Sequence, residues 1–196
     1  FAVFPPRHGG ARRVAEIPGG IFDQGPGPFT RLDGRVLFAT TDADHGREMW
    51  VFDGISARLV RDIRPGPVSS LWHEPWGASV GVLGSRWIFA ADDGVHGAEL
   101  WASDGSPEGT ALLADIGPGD WGSGPRLFAT LGERVYFLAH DGVHGWEPWV
   151  TDGTAENTSL LKDTVPGADG LTGEAWLAVV GGRWTGRLFL GADCSF

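Results

Sequence analysis

A segment of about 50 residues recurs along the chain, and this internal repeat constrains the fold more than any other feature. Each copy contains a short apolar run, then a Glu-x-Trp tripeptide, and later an aspartate before a Pro-Gly pair or its equivalent. The tryptophans of three copies are Trp50, Trp101 and Trp149, at nearly equal spacing. This period is typical of a four-stranded β-propeller blade and is too long for leucine-rich or ankyrin repeats.

Each unit predicts four antiparallel strands, which we call A to D. A tight turn such as Asp33-Gly34, of the kind that requires positive φ, joins strands A and B. A Gly-bearing loop joins B to C, and an Asp-Gly turn such as Asp104-Gly105 joins C to D. Pro148 lies within a strand C and lacks a ladder donor, so we interpret it as a local bulge. The three units span approximately residues 28–66, 78–119 and 127–167.

The two ends of the chain supply complementary parts of a further unit. Residues 176–196 match strands A and B, and residues 1–19 match strands C and D. We therefore expect an all-β, four-bladed β-propeller with four antiparallel strands per blade. In this single domain, residues 1–196, strands from both termini close the last blade, which leaves no unpaired sheet edge inside the ring. An open array cut from a longer protein is the alternative.

Charge and hydropathy exclude several partners. The formal net charge is −10 and the basic residues are scattered, so we expect no nucleic-acid partner. No run of about 18 apolar residues occurs, and the sequence therefore predicts no membrane span. The single cysteine, Cys194, cannot form an internal disulfide, so packing and ring closure must stabilise the fold.

One copy of the repeat, from Glu99 to Thr110, reads ELWASDGSPEGT and precedes Asp115-Ile116. It resembles the ELWxxDGTxxGT repeat of many secreted or surface proteins of bacteria, myxobacteria among them. The resemblance covers nearly the whole chain and implies a secreted or cell-surface location, but the family carries no settled activity.

The Trp-x-x-Asp-Gly string also looks like the Asp-box turn of sialidases and related propellers. That resemblance implies a structural role, in which the aspartate caps a hairpin by accepting backbone N–H bonds. We expect the repeated tryptophans to pack between blades. The residues concerned are Asp53, Asp104 and Asp152 as caps and Trp50, Trp101 and Trp149 as packing residues.

The loops that join B to C share one face of the predicted propeller with the connections from D to the next A. Aromatic residues that do not repeat fall on this face beside carboxylates, a combination that suits sugar recognition by ring stacking and hydroxyl bonding. Alternatively, these tryptophans fill gaps between blades. The candidate ligand-binding residues are Trp72, Trp76, Trp121, Asp92, Asp93, His96, His144 and Trp146.

The same loops offer two metal-binding hypotheses. Clustered carboxylates in a Gly-bearing loop could hold Ca²⁺, although no loop matches a full twelve-residue calcium pattern. Three imidazoles, His45, His96 and His144, could instead meet at the axis and bind zinc. A histidine in a repeated turn also commonly bonds its own loop. The candidate calcium ligands are Asp42, Asp44, Asp92, Asp93 and Asp141.

We therefore predict a ligand-binding module that recognises a glycan or a protein through the loop face. A structural self-assembly or adhesion propeller, which binds copies of itself, is the alternative. A carboxylate-based glycosidase or lyase is a weaker hypothesis. The candidate carboxylates recur in every unit, so no unique catalytic pair is selected and we do not predict an enzyme.

Overall fold

The computed structural model describes residues 27–71, 80–167, 170–171, 175–180 and 187–192. These residues form 14 strands and no helix. Within this part of the chain there is accordingly no helix of the length and apolarity needed to cross a membrane. The predicted all-β class is confirmed.

Three antiparallel sheets of four strands each account for most of the structure. The strands of every sheet follow one another in chain order, as predicted. Sheet 1 contains β1 (Gly27–Leu32), β2 (Arg35–Asp42), β3 (Gly46–Phe52) and β4 (Ala57–Leu59). Sheet 2 contains β5 (Gly81–Leu83), β6 (Arg86–Asp92), β7 (Ala98–Ser103) and β8 (Ala111–Ala114). Sheet 3 contains β9 (Arg126–Leu131), β10 (Arg134–His140), β11 (Trp146–Thr151) and β12 (Ser159–Leu160).

A fourth sheet is described as two strands, β13 (Ala175–Val180) and β14 (Arg187–Ala192). They form an antiparallel pair, and β13 lies against β9, the first strand of sheet 3. The strands predicted in residues 1–19 lie outside the described residues, as does Cys194.

The turn between the first two strands of sheet 1 has the predicted chemistry. Asp33 and Gly34 adopt φ of 48° and 76°, both in the left-handed region. A two-residue turn with positive φ at both positions matches the twist of the strands that it joins, so Asp-Gly favours this hairpin.

The predicted bulge at Pro148 is wrong. Pro148 pairs with Leu138 within a continuous β10–β11 register. The Pro148 carbonyl accepts from the Leu161 N–H at 2.8 Å, so this residue's backbone polar groups face β12. Pro148 therefore lacks an N–H donor only on the side that faces the outermost strand, where the ladder is two residues long. Its pairing with β10 loses no hydrogen bond.

Apolar side chains fill the spaces between neighbouring sheets. Leu37 and Val51 of sheet 1 share a core cluster with Trp87 and Trp101 of sheet 2. Sheets 2 and 3 are joined in the same way, and Trp149 packs against that second cluster. The predicted packing of Trp101 and Trp149 between sheets is thus confirmed, whereas Trp50 packs with Phe38 in a separate cluster.

Backbone hydrogen bonds also join the sheets at one of their ends. On the side that we call the loop face, the D–A connection of one sheet bonds the B–C loop of the next. The Asp92 N–H donates to the Ser70 carbonyl at 2.8 Å, and the His140 N–H donates to the Ser123 carbonyl at 3.0 Å. The opposite side, formed by the A–B and C–D turns, is called the turn face below.

Candidate functional site

Three buried glutamates hold the loop face in place by hydrogen bonds to the D–A connections. Glu48, Glu99 and Glu147, the glutamates of the Glu-x-Trp repeat, are each 0% exposed. Each reaches from the third strand of its sheet to the D–A connection of the same sheet. Our sequence reasoning did not identify this role, although the signal was present, because a glutamate precedes every anchor tryptophan by two positions.

Glu99 shows how complete this anchoring is. Its Oε1 accepts from the N–H groups of Gly117 at 2.9 Å and Ser123 at 2.8 Å. Its Oε2 accepts from the Ile116 N–H at 3.1 Å and from the Ser123 hydroxyl. Burial nevertheless raises the pKa of the Glu99 carboxyl. Burial likewise raises the pKa of Glu48 to about 7.

The backbone of the D–A connection of sheet 2 packs closely against the B–C loop of the same sheet. Gly97 has φ +70°, and a Cβ there would lie 2.5 Å from the backbone nitrogen of Gly122. Gly122 in turn forms a parallel bridge with Ala98, and the Gly124 N–H donates to the Ala98 carbonyl at 2.9 Å. Trp121 is therefore presented from a firmly held backbone.

The B–C loops share an aspartate and histidine three residues apart. The Asp93 Oδ1 atom accepts from the N–H groups of Val95 and His96, both at 2.9 Å. The His96 Nδ1 atom lies 2.8 Å from Asp93 Oδ2, and this hydrogen bond raises the pKa of His96. Asp141 and His144 repeat the arrangement in sheet 3, as the pair of Asp42 and His45 does in sheet 1.

Three of the five predicted calcium ligands are engaged within their own loops. Asp42, Asp93 and Asp141 each accept bonds from loop N–H groups and from a histidine ring. Asp44 is exposed, and its own N–H donates to Asp42 Oδ1 at 3.0 Å. In the described ranges, no three His, Cys, Asp or Glu side chains form a group able to hold a metal ion. His45, His96 and His144 therefore do not meet in a zinc site, which was the alternative hypothesis.

Asp92 joins two sheets. Its Oδ2 atom lies 2.7 Å from the Nη1 of Arg64, which belongs to the D–A connection of sheet 1, and its Oδ1 accepts from the Gly94 N–H at 2.6 Å. Asp92 is buried. Both oxygens are thus used in positioning one loop against the next.

The candidate tryptophans differ in their surroundings. Trp121 is 87% exposed, which rules out the alternative that it fills a gap between sheets. Trp146 is half-buried under the Arg126 guanidinium, whose carbon lies 3.7 Å from the ring centroid, and meets His140 edge-on. Trp72 and Trp76 lie outside the described residues.

Two exposed apolar loop tips on the same face as Trp121 were missed by our sequence reasoning. Val95 and Val143 occupy equivalent positions in the B–C loops of sheets 2 and 3 and are 68% and 66% exposed. The D–A connection that carries Trp121 contacts both loops, through Gly122 to Ala98 and through Ser123 to His140. The available signal was the replacement of Asp44, the equivalent residue of sheet 1, by valine in both later units.

The turn aspartates have the predicted structural role. Asp53 Oδ1 accepts from the N–H groups of Ile55 and Ser56, at 2.8 and 2.9 Å. Asp104 and Asp152 cap the corresponding turns of sheets 2 and 3. These carboxylates stabilise hairpins on the turn face.

No protein-family model, curated protein or solved structure matches the chain. Its class therefore rests on its architecture, an all-β repeat with three four-stranded antiparallel sheets and with exposed apolar residues on the loop face.

Proposed function

We propose that this chain is a binding module that recognises a protein ligand through the apolar tips of its loop face. The observation that carries the proposal is the exposure of Trp121, Val95 and Val143 on loops with firmly held backbones. Apolar groups exposed together on one face mark protein interaction sites where they form a contiguous patch, and a fixed backbone lowers the entropic cost of binding.

The loop chemistry favours a protein over a glycan. A sugar site needs acceptors that are free for hydroxyl groups, but the oxygens of Asp92, Asp93 and Asp141 already accept bonds from the chain itself. Two valine tips and a tryptophan exposed on one face instead suit a partner with an apolar contact surface. Trp121 alone would stack equally well on a pyranose ring, so glycan binding is an outcome of the test below.

The architecture and location belong to the same proposal. We infer that the pair β13–β14 is completed by residues 1–19 to give a closed four-bladed propeller. The contact of β13 with β9 supports this inference, since it places the fourth unit next to the third. The resemblance to the ELWxxDGT repeat supports a secreted or cell-surface protein.

Selection from a displayed random peptide library tests the function, with a glycan array run in parallel. Sheet 1 supplies a conservative variant, because Asp44 occupies the tip of the same turn without disturbing it. Val95→Asp combined with Val143→Asp should therefore keep the loops but abolish peptide binding, as should Trp121→Ala. Ile55→Asp is the control, since Ile55 is as exposed as Trp121 and more exposed than either valine but lies in a turn-face hairpin.

Peptides whose binding is lost in the loop-face variants and kept in Ile55→Asp would support the proposal. Peptides that bind all variants alike would overturn it. Glycan binding that needs Trp121 but not the valines would replace the protein ligand with a sugar. Sedimentation in which the unmodified chain dimerises and the double variant stays monomeric would identify the partner as a second copy.

A further inference from the structure

The loop face carries more acidic than basic charge around its apolar tips. Asp44, Asp115 and Asp120 are exposed, and their carboxylates accept no hydrogen bond from any residue in the described part of the chain. Asp120 directly precedes Trp121, and Asp115 follows β8 at the start of the same D–A connection. These carboxylates are therefore available to a ligand that contacts the tips.

The cations of this face are largely engaged. The Nη1 atom of Arg64 lies 2.7 Å from a carboxylate oxygen of Asp92, and the Arg126 guanidinium lies over the Trp146 ring. Lys162 is exposed at the end of β12. A ligand that approaches the loop tips thus meets mainly negative charge, which favours a basic surface.

Two imidazoles adjoin the exposed valines. His96 and His144 directly follow Val95 and Val143, and their side chains are each 38% exposed. The Nδ1 atom of each ring is bound to the aspartate three residues earlier. The proton that charges either imidazole is therefore carried by Nε2, and the loop hydrogen bond persists in both protonation states.

The charged groups that face these imidazoles are carboxylates. They are Asp93, Asp115 and Glu99 around His96, and Asp141, Asp163 and Glu147 around His144. The hydrogen bond from the loop aspartate is the main cause that raises the pKa of each histidine, and the neighbouring carboxylates add to it. Each loop therefore loses one positive charge as the pH rises through the raised pKa of its histidine.

We propose that the protein ligand of the loop face presents a basic segment beside its apolar contact, and that its binding displaces protons from His96 and His144. This inference rests on the proposed function, because it concerns the same surface. A basic ligand and an imidazolium repel each other, so the ligand binds the deprotonated loops more tightly. By linkage, the bound ligand makes both histidines release their protons to the solvent, and acidification weakens the complex.

Three displayed peptide libraries of equal apolar content test the charge of the ligand. They differ only in their polar positions, which hold Lys and Arg, Asp and Glu, or Ser and Gln. Selection on the unmodified chain should enrich peptides from the basic library. Equal or greater enrichment from another library would overturn this inference and leave the proposed function standing, whereas no enrichment from any library would contradict both.

A pair of matched variants locates the charge effect. Asp120→Asn on the loop face and Asp33→Asn on the turn face each remove one exposed carboxylate that accepts no hydrogen bond from a described residue. Asparagine also suits the φ of 48° at Asp33. Asp120→Asn should weaken a selected basic peptide roughly two- to fivefold, and Asp33→Asn should not. Equal losses would show general attraction to an acidic chain and would overturn the proposal.

Calorimetry of the same peptide in two buffers of different ionisation enthalpy counts the protons released on binding. The unmodified chain should release protons near pH 7, and the affinity should rise between about pH 6 and about pH 8 by roughly two- to fivefold for each histidine. His96→Gln combined with His144→Gln keeps the backbone N–H groups that the aspartates bind, and it should bind the peptide without proton release. Absence of release from the unmodified chain, or release that persists in the double variant, would overturn the proposal.

Discussion

Replacing Gly97 with alanine tests whether close backbone contact holds Trp121 in place. Gly97 has φ +70°, and an added Cβ would lie within 2.7 Å of three backbone atoms, the nitrogen of Gly122, the carbonyl carbon of Trp121 and the oxygen of Asp120. None of these atoms belongs to a flexible side chain. The D–A connection must therefore move away from the B–C loop to accommodate the methyl group.

Two energetic costs determine how much Gly97→Ala should destabilise the chain. A residue other than glycine in the left-handed region costs roughly 1–2 kcal/mol. Overpacking against fixed atoms adds roughly 1–3 kcal/mol. Gly142 isolates the first term, because its φ is +81° but a Cβ there would meet nothing within 4 Å. We therefore expect Gly97→Ala to destabilise the chain by roughly 1–3 kcal/mol more than Gly142→Ala does.

Urea denaturation followed by both tryptophan fluorescence and circular dichroism measures this difference. Coincident transitions and an unchanged m-value would show that the free energies of unfolding are comparable. The Gly97→Ala chain should also bind loop-face ligands less tightly, because the backbone beneath Trp121 has shifted. Equal free energies for the two variants would refute the reasoning, since the close contact would then have no energetic consequence.

Two further predictions concern protonation. Burial raises the pKa of the Glu48 carboxyl from 4.5 to about 7. The contribution of this group to the free energy of unfolding is therefore complete below about pH 4.5, and it declines by about 3 kcal/mol as the pH rises to 7. Glu48→Gln should reduce the decline of the free energy of unfolding with pH, as measured by urea denaturation at several pH values. The same pH dependence in the variant and in the unmodified chain would contradict the assignment to Glu48. Asp93→Asn should lower the pKa of His96 and leave that of His144 unchanged, as followed by NMR of the imidazole protons. A His96 titration that matches the unmodified chain would exclude the hydrogen bond as the cause.

Much of the fold was predictable because the repeat supplies the same information several times. The Asp-Gly and Gly-bearing turns located the strand ends, and the apolar runs between them could form only buried strands. Pro148 was misinterpreted because sequence does not reveal toward which neighbour a residue's backbone groups point. That direction depends on pairing, and here it faces the short outermost strand β12.

The site was less predictable for a related reason. Carboxylates such as Asp93 and Asp141 have the composition of a ligand site, but local geometry directs their oxygens to their own loops. The role of Glu99 depends on donors up to 24 residues away, which a local pattern cannot show. The exposure of Val95 and Val143 also follows from turn geometry, because an apolar residue in sequence is more commonly expected inside.

The buried glutamates have a consequence for how such a surface can diversify. Among the described residues each glutamate bonds to its own unit, and an aspartate of each B–C loop accepts from the N–H groups at the tip of the same loop. The tip residue contributes no side chain to either network, as the exchange of Asp44 for Val95 or Val143 illustrates. Equivalent tips can therefore vary independently, and the repeat provides a natural scaffold for combinatorial display on one surface.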